Sequence, residues 1–193
     1  IATHLANSAK PTTELVVSPL VRAQQTAAPI AEALGLPIHT EDWLAEISGP
    51  DWFDGGPAEQ VERIFRESRN RTLDQLWDGL PGGESVRDFH KRITEGADGF
   101  LEARGAVAAT PDPPQWRFPD PDRRIVIVAH AGTNATLIGH LLGIPPVPWE
   151  WERFVTYHSS LSELHPIEIG GAAAYSLVRL SDISHLPEHL RTR

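Results

Sequence analysis

The stretch Arg124-Ile125-Val126-Ile127-Val128-Ala129-His130-Ala131-Gly132-Thr133 decides how the rest of the chain is read. The apolar run from Ile125 to Ala129 is unbroken and rich in β-branched side chains. That is the composition of a strand buried on both faces inside a parallel sheet. The run ends on His130, small residues follow, and an apolar helical pattern extends from about Thr133 to Leu142. Gly143 and the prolines behind it stop that helix. Open α/β sheets bind ligands at the carboxyl ends of their strands. A helix N-terminus in that position offers backbone amides to an anion, here those of Ala131 and Gly132. A buried histidine that merely caps a turn suits the same residues, so this stretch leaves both readings open.

Working outward, Glu14–Val17 reads as a second short strand, and Ser18-Pro19 as a helix start with serine as N-cap and proline at the first helical position. The helix runs from Pro19 to about Leu34, with Leu20, Ala23, Ala27, Ile30, Ala31 and Leu34 on one face, and Gly35 ends it. Arg22 falls in its first turn, where a cation opposes the helix dipole unless an anion is near. A solvated helix charge is the ordinary alternative. Residues 37–40 read as a strand, 41–56 as a loop carrying Trp43, Trp52 and Phe53, and 57–80 as helical with a polar break at 69–71. Pro81-Gly82-Gly83 is a turn, Ser85 and Asp88 form a capping box, and a helix follows to about Arg104. The proline-rich residues 109–122 read as a loop or insertion. A turn at Ser159-Ser160 and a last strand over 174–180 complete the pattern. Strands alternate with helices, so the class is α/β.

The chain has 193 residues, 40% of them hydrophobic, which suits one domain with a full core. A formal net charge of −9 excludes a broad basic surface for nucleic acid and disfavours an anionic membrane. No cysteine is present, so disulfides and thiolate metal sites are excluded. The histidines show no His-x-x-x-His spacing on a helix, and neither a metal nor a cofactor is expected. No apolar run is long enough to span a membrane and no signal peptide is visible, so a cytoplasmic protein is the default expectation. The chain begins with Ile1 and contains no methionine. Its first seven residues read as the last turns of a helix, so an N-terminal segment is expected to be missing from this single domain of residues 1–193.

Arg22 and His130 each follow a strand, and in a parallel sheet their positions share one edge. Arginine is a planar bidentate donor matched to phosphate. Histidine can donate to a phosphoryl oxygen or attack phosphorus. Together they suit phosphate chemistry without a metal.

These residues carry a resemblance. Ser18-Pro19-Leu20-Val21-Arg22-Ala23-Gln24-Gln25-Thr26-Ala27 resembles the second-arginine motif of the histidine phosphatase superfamily, the phosphoglycerate mutase-like proteins. Val128-Ala129-His130-Ala131-Gly132 resembles its second-histidine motif. Leu44-Ala45-Glu46-Ile47, followed by Trp52, is similar to the segment bearing its acid/base glutamate, although Pro50 and Asp51 stand where the family usually has a glycine. Pro81–Ser85 and Ser181–Leu186 also look like family segments, so the likeness spans about residues 14 to 186.

The resemblance implies a three-layer sandwich with a mostly parallel central sheet flanked by helices. It implies a histidine nucleophile in an N-terminal Arg-His-Gly motif that becomes phosphorylated. Arg22 would grip the phosphoryl oxygens, His130 would stabilise charge on the transferring group, and backbone amides such as that of Ala131 would assist. Glu46 would protonate the leaving oxygen and then deprotonate water. This sequence has no Arg-His-Gly: His4 is preceded by Thr3 and followed by Leu5. A strand-plus-helix unit of roughly 30 residues is therefore expected upstream.

The expected activity is hydrolysis of a small phosphorylated substrate. A phosphomutase of the same family is the alternative, as is a catalytically dead phosphate-binding module if the gene itself lacks the nucleophile. Glu84 is a second candidate acid/base, with a solvated residue before a helix cap as its plainer reading. His158 and His185 read as structural. Trp43, Trp52, Trp149 and Trp151 suit either a pocket wall or core packing. Substrate identity stays open, as does oligomeric state, with a homodimer among the options.

Overall fold

Three short apolar strands pair in parallel: β1 (Glu14–Val17), β2 (Ile38–Thr40) and β5 (Ile125–Val128), in the order β2-β1-β5. The computed structural model describes the chain apart from residues 51–58, 60–62, 65, 68, 69, 112, 113, 121 and 193. Alternation along β1 sends side chains to opposite faces. Leu15 and Val17 pack with Leu5 of α1 (Ala2–Ala6) and with Ala23, Ala27 and Ile30 of α2 (Val21–Leu34). Val16 faces the other way, against Leu44 and Phe100. On that side α4 (Val86–Glu102) and α5 (Ala131–Leu141) bury Phe89, Ile93, Ala97 and Leu137 beside Ile127. The sheet thus lies between two helical layers, as expected of the α/β class.

Local signals account for most boundaries. Gly35 ends α2 in the left-handed conformation, φ 65°, with its amide bonded to the last carbonyls. Ser85 caps α4, accepting from the Asp88 amide at 3.0 Å and donating to the Asp88 carboxylate at 2.7 Å. Thr72 and Gln75 form a capping box on α3 (Leu73–Trp77). Within the expected 57–80 helix, Val61 and Phe65 lie outside the described residues, as do Trp52 and Phe53. Arg104, just past α4, stacks on the Phe100 ring at 3.4 Å and grips Glu14 at the start of β1. That hydrogen-bonded ion pair holds the Glu14 carboxyl below its ordinary range.

Two readings are corrected here. Residues 109–122 are not simply a loop: β3 (Val107–Pro111) and β4 (Pro114–Arg117) pair antiparallel across it. Pro111 fits because β3 is an edge strand, where a missing amide is tolerated. With β6 (Leu161–Ile169) and β7 (Ala172–Asp182) these strands make a separate antiparallel sheet, ordered β3-β4-β7-β6. Secondly, β5 is half-buried rather than fully buried. Among the described residues it pairs with β1 alone, and residues along its length line a cavity of about 3160 Å³ together with residues of β6. Arg124 and Glu163 bridge the two strands at 3.4 Å. α6 (Glu150–Arg153) packs on α5. Among the described residues no helix is long and apolar enough to cross a membrane.

Candidate active site

β1 and β5 run parallel in register, Val17 beside Val128, so the residues that follow them emerge at one edge. Ser18 and His130 meet there, Oγ to Nε2 at 2.7 Å, with Ser18 fully buried and His130 8% exposed. Arg22, in the first turn of α2, donates from Nε to His130 Nδ1 at 3.1 Å. A guanidinium has no acceptor, so Nδ1 must carry the lone pair and Nε2 the proton. The Nε2–H therefore donates to Ser18 Oγ, and the imidazole is neutral with a fixed tautomer. Burial, then the Arg22 charge, pushes its pKa down to about 4. Among the described residues no hydrogen bond engages the two Nη groups of Arg22, which is exposed. They remain available as a fork for an anion.

Ser18 was expected to cap α2, with Pro19 opening the helix. Instead the helix starts at Val21 with Leu20 at the N-cap and no side-chain cap. The Ser18 hydroxyl accepts weakly from the Leu20 amide at 3.3 Å and is otherwise committed to His130. The motif serine thus faces His130 rather than capping the helix. Its proximity to a histidine 112 residues away has no local signature. Ser18→Ala leaves a buried Nε2–H without its acceptor, a loss of about 1–3 kcal/mol. Imidazole ¹⁵N shifts of His130 should still report the Nε2–H tautomer in Ser18→Ala, because Arg22 fixes it, while Arg22→Ala releases a mixture; the wild-type ring stays neutral down to mildly acidic pH.

Glu46 arrives from the other side of the sheet. It follows a 3-10 turn, Asp42–Leu44, whose Leu44 is fully buried. Its Oε2 accepts from the Gly132 amide at 2.9 Å and its Oε1 from the Ile47 amide at 3.0 Å. The carboxylate therefore sits on the first turn of α5, beside His130. Burial raises its pKa, against the opposing pull of the Gly132 and Ile47 amides and the Arg22 charge. Of the two amides expected to attract an anion, that of Gly132 is occupied by Glu46, while Ala131 is exposed at the first position of α5.

Glu84 is not a solvated residue. It forms a two-point ion pair with Arg92 of α4, at 2.9 and 2.8 Å, and only 17% of its side chain is exposed. It also accepts from the Ser48 amide at 3.3 Å. Arg92 in turn donates to the carbonyls of Trp43 and Ala45 at 2.9 and 3.0 Å. Glu84 thus braces the loop that carries Glu46. Trp43 packs into a notch of α4 at Gly96 and tilts against Phe100 at 5.8 Å, so it is a core anchor. Trp149 and Trp151 line the cavity with Arg22, Glu46 and His130. His158 also lines it and pairs with Thr192 at 3.0 Å, while His185 lies against His4 with ring centres 5.1 Å apart. Among the described residues no three histidine, aspartate or glutamate side chains come together as a metal site.

The sequence and the fold have known counterparts. The chain is 31% identical over 137 residues, 70% of its length, to the glucosyl-3-phosphoglycerate phosphatase of Mycobacterium tuberculosis (strain ATCC 25618 / H37Rv). The match covers 56% of that relative, so the chain spans just over half its length. Over 181 residues it is 27% identical to the probable phosphoglycerate mutase GpmB of Salmonella newport (strain SL254), covering 90% of this chain and 73% of that one. A solved structure of mycobacterial glucosyl-3-phosphoglycerate phosphatase with VO3 superposes with a TM-score of 0.67 at 26% identity, over 93% of this chain and 80% of that one. The family pattern described as histidine phosphatase superfamily (branch 1) matches residues 1–174, and the chain belongs to that superfamily.

Proposed function

We propose that this chain is the body of a phosphatase that hydrolyses a small phosphate monoester through a phosphohistidine. The observation that carries the proposal is the meeting of Arg22 and His130, 3.1 Å apart, with Glu46 on the same helix start. The Arg22 fork would hold two phosphoryl oxygens, and the exposed Ala131 amide would support a third contact. Glu46, its proton held more tightly by burial, would hand that proton to the ester oxygen as the P–O bond breaks. The resulting carboxylate would take a proton from the water that attacks the phosphohistidine. His130 holds Arg22 through Nδ1, so its share in stabilising charge passes through the guanidinium that it aims.

In this reading the nucleophile is a histidine on an Arg-His-Gly strand outside these 193 residues. The cleft between β5 and β6, bordered by Arg22 and His130, is where such a strand would bring it. Both relatives carry phosphoglycerate in their names, which puts small acidic phosphate esters first among substrates to assay. A cytoplasmic location belongs to the same proposal.

The test uses the intact gene product. Hydrolysis of an aryl phosphate should survive exhaustive chelation, and rapid acid-free quenching should trap a phosphoryl group that is stable to base and labile to acid, as on histidine. Loss of activity on chelation, or label found only on a hydroxyl or carboxylate, would end this reading.

A further inference from the structure

The first turn of α5 holds a carboxylate of the chain itself, and two of its residues have features with no other use in the fold. A Cβ on Gly132 would lie 2.5 Å from Glu46 Oε1, with Glu46 Cδ and Oε2 the next nearest atoms at 3.2 and 3.3 Å. Every close neighbour is the same carboxylate, so an added methyl group would push that carboxylate aside. Thr133 is fully buried. Its hydroxyl lies 3.2 Å from the Ala45 carbonyl and 3.5 Å from both the Leu44 carbonyl and Glu46 Oε1. A hydroxyl has one proton, so the nearest acceptor, Ala45 O, claims it. Thr133 therefore ties down the peptide unit directly before Glu46, while its backbone amide assists those of Gly132 and Ile47 at the carboxylate. A valine would fill the same volume without that tie.

We propose that Gly132 and Thr133 are positioning residues for proton transfer by Glu46. Gly132 admits the carboxylate to the start of α5, and the Thr133 hydroxyl fixes the backbone that presents it. The proposal rests on Glu46 being the acid/base. It gives the helix end a second job: the turn that follows the phosphate-site histidine also sets the reach of the proton donor.

The test compares kcat/KM of the intact gene product on 4-nitrophenyl phosphate and on glycerol phosphate. A misplaced proton donor hurts only the ester whose leaving oxygen needs the proton. Thr133→Val should lower the rate on glycerol phosphate by up to about 10²-fold, the scale of a 1 Å misplacement. The rate on 4-nitrophenyl phosphate should be nearly unchanged. Thr133→Ser, which keeps the hydroxyl, should restore the alkyl ester, and Gly132→Ala should behave as Thr133→Val or worse. Glu46→Gln is measured alongside. If it shows the leaving-group dependence while Thr133→Val lowers both esters equally or neither, the positioning role is refuted and Glu46 stands. If Glu46→Gln itself ignores the leaving group, the acid/base reading falls first and the positioning role with it.

Discussion

Arg22→Ala in the intact gene product lowers kcat/KM for phosphate ester hydrolysis by about 10²–10³-fold, the range for one preorganised donor at a site of developing charge. The structure explains why the loss should be that large. The two Nη groups have no partner among the described residues, and Nε is spent holding His130 in place. Alanine removes both the fork and the constraint on the imidazole. Arg22→Lys recovers little, because an ammonium offers a point charge where a planar two-point donor is needed. His130→Ala falls in the same range, and the double variant is hardly worse than either single one, because the pair acts as a unit. The thermal midpoint of Arg22→Ala should barely move, since the side chain is exposed and contributes little to packing. A loss of activity that tracked a loss of folded protein would contradict this account.

The second large effect separates two glutamates. Glu46→Gln lowers turnover of alkyl phosphates by about 10²–10⁴-fold, the usual contribution of a general acid, and spares aryl phosphates whose leaving group needs no proton. Glu84→Gln is indifferent to the leaving group, because its carboxylate is consumed by Arg92 and the Ser48 amide. Stability separates them as well. Burial raises the Glu46 pKa, so the folded state binds this proton more tightly than the unfolded chain does. Folding therefore loses stability as pH rises through that window, and Glu46→Gln, which has no second acceptor for the Gly132 and Ile47 amides, should remove that pH dependence. Glu84→Gln should lower the thermal midpoint, because Arg92 is left partly buried without its counter-charge. Leaving-group dependence in Glu84→Gln alone would exchange the two roles.

Much of this was legible in the sequence because it is local. The apolar run before His130, Ser85 with Asp88, and Gly35 after Leu34 each state their conformation within a few residues. Arg22 and His130 were paired by one topological rule, that parallel strands share their carboxyl edge. What the sequence hid is long-range. Nothing near Ser18 says that its hydroxyl will turn from the helix it precedes to an imidazole. Nothing near Glu84 says that Arg92 will take it out of solvent. The β3–β4 hairpin was hidden for another reason: prolines argue against a strand unless it lies at an edge, and edge status is a property of the whole sheet.

The division of the strands between two hydrogen-bonded sheets bears on how the molecule breathes. Among the described residues no backbone ladder joins β2-β1-β5 to β3-β4-β7-β6. They are tied by side chains, such as Leu164 and Leu177 against Ala135, Ile138 and Phe154, and by the Arg124–Glu163 bridge. Arg22, Glu46 and His130 all belong to the parallel unit and the helices packed on it. The strand proposed above to enter between β5 and β6 would lay backbone bonds where side chains alone now meet, so the segment that brings the nucleophile would also weld the two sheets into one cooperative body.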